Sequence, residues 1–86
     1  MFLYFFIDEY VFLRRGLCDS SDIGGHHQDS VRECYDECMT NPDIKYFAYI
    51  GKTGNNENCK CFKIQGGCTP QTSAADYNVY EINPGI

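Results

Sequence analysis

The fold is decided by residues 30–39, which read SVRECYDECM. Apolar and cysteine side chains recur there at i, i+3, i+4, i+7 and i+8, the spacing of one stripe along an α-helix. Ser30 can cap the first turn, and Glu33 follows three residues later, as in a capping box. We therefore predict a helix from Ser30 to about Met39, ended by the turn residues 41–43 (NPD).

The rest of the regular structure is predicted to be β-strand. Aromatic and β-branched residues are concentrated in five ranges, and we predict strands at residues 2–7, 10–14, 45–50, 59–64 and 77–82. Polar and glycine-rich segments separate them: a loop at 16–27, a hairpin loop at 51–58 and an irregular segment at 65–76. This order of elements predicts a small α+β domain in which one helix packs across an antiparallel sheet.

Four of the six cysteines fall in two pairs that can face each other. Cys34 and Cys38 are four apart on the predicted helix and share one face of it. Cys59 and Cys61 are two apart on a strand and share a face, about 6.6 Å apart along it. Two helix-to-strand disulfides would attach the helix to the sheet. This geometry leaves open which helix cysteine pairs with which strand cysteine. The remaining two cysteines, Cys18 and Cys68, would tie the N-terminal loop to the segment before the last strand.

An even count of six cysteines in 86 residues favours an oxidising compartment. Each bridge would contribute roughly 3–4 kcal/mol to a domain whose core alone is marginal. We therefore predict a secreted, extracellular protein.

The rival interpretation is a zinc site with four thiolate ligands, Cys34, Cys38, Cys59 and Cys61. Zinc sites usually use tighter C-x2-C pairs, and zinc would leave Cys18 and Cys68 unexplained. We predict no metal and no cofactor.

The charge balance excludes several classes of partner. Seven basic and twelve acidic residues give a net charge of −5, which argues against nucleic acid, heparin and anionic membranes. Arg14-Arg15 is the only basic pair, and we expect it to be solvated. No apolar run reaches the length of a membrane span.

Side chains that could carry chemistry have simpler interpretations. A cysteine nucleophile needs a free thiol beside a histidine, and the even count leaves none, so we predict that the chain is not an enzyme. We expect His26-His27 to be solvent-exposed. We expect Asp19, Asp22 and residues 55–58 to form turns instead of a calcium site.

The predicted core residues are Phe47, Tyr49, Phe62 and Val79. No N-x-S/T sequon occurs, and O-linked sugar at Thr69 or Thr72 stays open.

The chain resembles a PAN/apple domain between residues 10 and 82. The likeness begins with a strand that runs into a cysteine (residues 10–18, YVFLRRGLC) and continues in the helix with paired cysteines (residues 30–38). An aromatic strand (residues 46–49, YFAY) holds the family's F-x-Y, and a cysteine strand (residues 59–62, CKCF) and a closing strand (residues 77–80, YNVY) follow. The resemblance implies an antiparallel sheet with one helix across it.

The resemblance also implies a nested pairing of cysteines: Cys18–Cys68, Cys34–Cys61 and Cys38–Cys59. The family often has a cysteine shortly before F-x-Y, whereas residues 43–46 here read DIKY. Because of this departure, the alternative order, Cys34–Cys59 with Cys38–Cys61, stays open.

The functional expectation follows from the same resemblance. It implies a non-catalytic extracellular module that mediates protein–protein or protein–carbohydrate contacts, with a protein or glycan ligand. The alternative is a structural subunit of an extracellular filament or matrix that associates with itself. We divide the chain into an N-terminal extension or strand (residues 1–9), a PAN/apple-like domain (10–82) and a C-terminal tail (83–86).

The alternative rests on the apolar N-terminal segment. Its residues put apolar side chains on both faces of a strand: Phe2, Leu3, Tyr4, Phe5, Phe6 and Ile7. Such a strand needs cover on both sides, and a neighbouring chain that accepts it would provide that cover. We predict these six residues as assembly residues. A leader remnant and a strand folded back on its own domain are the two other interpretations.

Overall fold

Seven strands and one helix follow one another in the described part of the chain. The structure is a computed structural model, and it describes residues 9–19, 22–51, 58–63, 67–71 and 76–83. The elements are β1 (Tyr10–Arg15), β2 (Leu17–Cys18), β3 (Asp22–His26), α1 (Val31–Cys38), β4 (Tyr46–Tyr49), β5 (Cys59–Phe62), β6 (Pro70–Gln71) and β7 (Asn78–Ile82). The predicted class is confirmed: an α+β domain with an antiparallel sheet, one helix and three disulfides.

The main sheet has five strands in the order β1-β7-β4-β5-β3, and every neighbouring pair is antiparallel. Strand β4 lies at its centre, where Phe47 is opposite Cys61 on one side and Tyr80 on the other. Strands β2 and β6 form a separate two-stranded ribbon. The first and last long strands, β1 and β7, are therefore neighbours, and among the described strands β1 lies at an edge of the sheet.

Each face of the sheet has its own core because successive strand residues point to opposite sides. The face under α1 buries helix residues against β4 and β5, and its buried members are Cys34, Tyr35, Cys38, Ile44, Phe47, Cys59 and Cys61. The opposite face buries Leu17, Cys18, Tyr46, Ala48, Phe62 and Val79. Of the predicted core residues, Phe47, Phe62 and Val79 are buried as expected, whereas Tyr49 is half-buried and packs at the margin of the first cluster.

The predicted helix is confirmed, and its first turn is capped by side chains. Ser30 Oγ accepts a hydrogen bond from the Glu33 backbone N–H at 3.1 Å. In return, Glu33 Oε1 accepts from the backbone N–H of Asp29 at 3.0 Å, one residue before the position expected for a capping box. The bond from Glu33 satisfies a donor that the first helical turn would otherwise leave free.

The strands predicted at 10–14, 45–50, 59–64 and 77–82 are present as β1, β4, β5 and β7. The loop predicted at residues 16–27 is wrong, because this segment contains β2 and β3. Gly24-Gly25 suggested a break, but both residues lie in β3, where the pairing with β5 is irregular between Asp22 and Gly25. An edge strand tolerates glycine at such an irregularity. The segment at 65–76 includes the two-residue strand β6.

All six cysteines are in disulfides: Cys18–Cys68, Cys34–Cys59 and Cys38–Cys61. The outer bridge is the one that the resemblance implied. The nested inner pairing, Cys34–Cys61 with Cys38–Cys59, is wrong, and the alternative that was left open is present.

The direction of the helix explains this order, because α1 runs along β5 in the same sense. Before the helix, the backbone N–H of Gln28 donates to Asn58 Oδ1 at 2.8 Å, and Asn58 Nδ2 donates back to Gln28 O at 2.7 Å. After the helix, Asp43 forms an ion pair with Lys63 at 3.5 Å. The first helix cysteine therefore lies over the first strand cysteine, and the second over the second.

Candidate interaction surface

Strand β1 exposes three consecutive apolar side chains at the edge of the sheet. Val11 is 40 % exposed, Phe12 57 % and Leu13 38 %. Large apolar groups on an edge strand are costly to leave in water, and native edges are usually covered or charged. We call residues Val11–Leu13 the edge patch.

The backbone of β1 also has N–H and C=O groups that face away from its described neighbour β7. Asn83 N–H donates to Glu9 O at 3.0 Å, so Glu9 is bonded toward the β7 side. Because bonded positions alternate along an antiparallel ladder, the N–H and C=O groups of Tyr10 and Phe12 point away from β7. A register shift between Phe12 and Arg14 then interrupts the ladder. The edge patch thus combines apolar side chains with outward-facing peptide groups.

The edge patch is attached to a rigid aromatic network. The Phe12 ring lies 5.9 Å from the Tyr80 ring, centre to centre, in an edge-to-face arrangement. Tyr80 stacks on the buried Phe47 at 5.1 Å, and Tyr10 contacts Tyr35 of the helix at 4.9 Å. A ring held in such a network loses little freedom when a partner covers it.

Charged groups flank the edge patch. On one side, Arg32 of the helix forms an ion pair with Glu9 and a second one with Asp36 at 3.3 Å. Desolvation lowers the pKa of Arg32, but the two carboxylates together raise it by more, so the pKa lies above its ordinary value. On the other side, Arg15 is exposed, whereas Arg14 turns onto the Cys18–Cys68 bridge.

A cleft of about 200 Å³ lies at the carboxyl end of α1. After the edge patch, it is the second candidate binding surface. It is lined by Tyr35, Met39, Asn41, Pro42, Ile44, Lys45, Ile82 and Asn83. Met39 is 47 % exposed. Burial, and next the carboxylate of Glu9, raises the pKa of the Tyr35 hydroxyl, so it is neutral at physiological pH and offers one hydrogen-bond donor.

Among the described residues, those weighed for metal binding do not form an open site. The sulfur atoms of Cys34, Cys38 and Cys59 lie within 4.8 Å of one another, but each is bonded in a disulfide and so is not a thiolate ligand. His27 is exposed and lies 3.4 Å from Asp29, and Asp19 is exposed. The side chains of Asp22 and His26, and residues 55–57, lie outside the described part.

The predicted assembly residues, Phe2 to Ile7, lie outside the described residues. What the sequence interpretation missed is the edge patch, although a signal for it was present. The run YVFL at residues 10–13 has no polar alternation, which is the same feature that singled out residues 2–7. Arg14 was also missed, because a basic pair was expected to be solvated on both residues.

The fold defines a class, a small α+β domain whose helix is fixed to an antiparallel sheet by disulfides. Comparison with models of known families, with curated proteins and with solved structures found no match to this chain. Among the residues that the structure describes, there is no helix long and apolar enough to cross a membrane.

Proposed function

We propose that this chain is an extracellular, non-catalytic binding module of the PAN/apple type that contacts a protein partner through the edge patch. The observation that best supports this proposal is the exposure of Val11, Phe12 and Leu13 on an edge strand. A partner segment in extended conformation would pair with the outward peptide groups of β1 and cover the three side chains.

Three disulfides support the extracellular assignment, because such bridges persist in oxidising compartments. They also support a module without catalysis, since no cysteine keeps a thiolate to act as a nucleophile. A rigid scaffold suits this role because a preorganised surface loses little entropy on binding.

The proposal is tested by comparing two matched variants, Phe12→Lys and Met39→Lys. Both replace an exposed apolar side chain by a cation, but Phe12 lies in the edge patch and Met39 lies in the cleft beside α1. The oxidised proteins are immobilised and exposed to extracellular fluid of the source organism, and retained proteins are quantified by mass spectrometry. We expect a partner that wild type and Met39→Lys retain and that Phe12→Lys retains at least about tenfold less.

The purified partner is then titrated against all three proteins to obtain affinities. Equal affinity of wild type and Phe12→Lys would contradict the proposal. A parallel glycan array separates the carbohydrate alternative: binding of a glycan that is lost in Met39→Lys and kept in Phe12→Lys would place the ligand in the cleft and overturn the edge-patch assignment.

The second candidate is a structural subunit that associates with itself. One observation favours it: in the sequence β1 directly follows residues 1–9, and among the described strands it lies at an edge of the sheet. If each copy donates and accepts a strand, the contact runs head to tail and can propagate.

A further inference from the structure

The Cys18–Cys68 bridge differs from the two inner bridges in its access to solvent. Cys34, Cys38, Cys59 and Cys61 are at most 7 % exposed and lie between the helix and the sheet. Cys18 is also buried, but its partner Cys68 is only half-buried and follows the exposed Gly67. Cys68 is therefore the cysteine with the largest exposed fraction, and we expect an external reagent to approach the outer bridge from its side.

A permanent cation lies beside the sulfur atom of the half-buried residue Cys68. Arg14 Nη2 donates to the backbone oxygen of Cys68 at 2.5 Å and lies 3.1 Å from Cys68 Sγ. The buried Arg14 Nε has no acceptor among the described residues. Because a guanidinium stays charged at any physiological pH, Arg14 would stabilise negative charge on this sulfur atom. A cation beside a cysteine lowers its thiol pKa and makes it a better leaving group.

We propose that the Cys18–Cys68 bridge is a thiol–disulfide exchange site at which an external thiolate, from a small thiol or a cysteine-bearing protein, attacks Cys68 Sγ. The attack forms a mixed disulfide between the external sulfur and Cys68, breaks the Cys18–Cys68 bond and releases Cys18 as a thiolate. A second external thiolate then attacks the external sulfur of the mixed disulfide. This step forms the oxidised external disulfide and releases Cys68 as a thiolate beside Arg14.

The site goes beyond the proposed binding function, since it uses neither the edge patch nor the cleft. The reductant is the external thiol, which loses two electrons for each bridge opened. Release of the outer bridge would free β2 from its link to the segment before β6, while both helix-to-strand bridges stay closed.

The first test is the order of reduction in the oxidised wild-type protein. Dithiothreitol is added at increasing concentration, free thiols are trapped with N-ethylmaleimide, and labelled cysteines are mapped by mass spectrometry. We expect Cys18 and Cys68 to be labelled first, with initial labelling at least about tenfold faster than at the other four positions. Labelling of an inner pair first, or of all six cysteines at equal initial rates, would overturn the proposal.

The second test isolates the cation with neighbouring variants. Arg14→Gln removes the charge beside Cys68, Arg14→Lys keeps a charge, and Arg15→Gln removes a charge from the adjacent exposed position. Cys68 is the leaving thiolate of the second step, so with a monothiol such as glutathione we expect full reduction of the outer bridge to slow in Arg14→Gln, by about threefold for each pKa unit that Arg14 contributes to the Cys68 thiol. Arg15→Gln should react like wild type, and Arg14→Lys should recover part of the rate.

Unfolding midpoints of the oxidised variants show whether each one keeps the native fold. Equal rates in Arg14→Gln and Arg15→Gln would show that Arg14 does not activate the bridge. The order of reduction in the wild type decides the proposal even if Arg14→Gln fails to fold.

Discussion

Gly16 is a residue whose backbone conformation leaves no room for a side chain. Its φ is +103°, a region that side chains rarely adopt, and its N–H donates to Tyr77 O at 2.7 Å. A Cβ atom at this position would lie 2.9 Å from the backbone oxygen of Gln71. We predict that Gly16→Ala lowers the free energy of unfolding by about 1–3 kcal/mol.

The matched control is Gly67→Ala. A Cβ at Gly67 would have no atom within 4 Å, and its φ is not positive. Denaturant unfolding of the oxidised proteins measures both changes. A loss in Gly67→Ala as large as that in Gly16→Ala would show that the constraint at Gly16 is not specific.

Three tyrosines give the stability a predicted pH dependence. Burial is the largest cause that raises the pKa of Tyr35, Tyr49 and Tyr80 above the ordinary value of about 10. As the pH rises past about 10, the unfolded chain loses these protons before the folded chain does. The stabilisation is thus complete below that pH, and the free energy of unfolding falls as pH rises further, through the folded-state pKa values.

Urea unfolding at about pH 8 and about pH 10.5 checks this direction. Tyr35→Phe removes one titrating group, so its stability should fall less over the same interval. A free energy of unfolding that is constant or rises between the two pH values would contradict the assignment.

Single residues were predictable where burial decides their place. Phe47, Phe62 and Val79 follow from strand patterning and are buried. The position of Arg14 was not predictable, because it depends on the register of β1 against β7. It also depends on a contact with Cys68, which is 54 residues away in the sequence. From the sequence, both residues of the basic pair Arg14-Arg15 were expected to be solvated, but the fold places Arg14 beside the Cys18–Cys68 disulfide.

At the scale of elements, α1 was the most predictable, because residues 30–39 combine a cap, a helical stripe and a stop signal. Strand β3 was not predictable, since its five residues include two glycines and it is held by pairing with β5. The order of the inner bridges required the direction of α1 over β5. That direction depends on contacts such as Gln28 with Asn58, which local spacing does not encode.

The helix should depend on its bridges more than the ribbon depends on the outer one. With cysteines 25 and 23 residues apart, the two inner bridges contribute about 3.5 kcal/mol each in the loop-entropy model. The outer bridge joins cysteines 50 residues apart and contributes about 4 kcal/mol. We predict that alanine at all four inner cysteines destabilises more than alanine at Cys18 and Cys68, because an eight-residue helix is marginal alone.

Denaturant midpoints of the two variants against the oxidised wild type measure the difference. Neither variant contains a free thiol, so disulfide exchange does not complicate the comparison. Equal midpoints, or a larger loss in the variant without the outer bridge, would show that the helix docks independently of its cysteines.

At the scale of the whole molecule, the α+β class was predictable, but the strand order was not. Element order along the chain does not reveal that β7 inserts between β1 and β4. That insertion puts β1 at the edge and so creates the edge patch. The sequence therefore did not predict the candidate surface, although the run of apolar residues that forms it can be read from the sequence.

The self-association candidate predicts an effect of deleting residues 1–7. If these residues pair with another chain, the full chain sediments as a concentration-dependent oligomer and the deletion variant as a monomer. Phe12→Lys in the full chain serves as a second variant, because it perturbs the accepting edge. A full chain that is monomeric at high concentration, or a deletion variant that assembles equally well, would rule out strand exchange through this segment.

Three disulfides, in the order observed, hold the helix on the sheet, and β1 is an exposed edge among the described strands. The most direct test is disulfide mapping of the unreduced protein. Trypsin cuts after Lys60 and so separates Cys59 from Cys61, and a protease that cuts after Asp36 or Glu37 separates Cys34 from Cys38. We predict no free thiol and linked peptides that contain Cys18–Cys68, Cys34–Cys59 and Cys38–Cys61. Free thiols, stoichiometric zinc, or peptides that link Cys34 to Cys61 and Cys38 to Cys59 would contradict it.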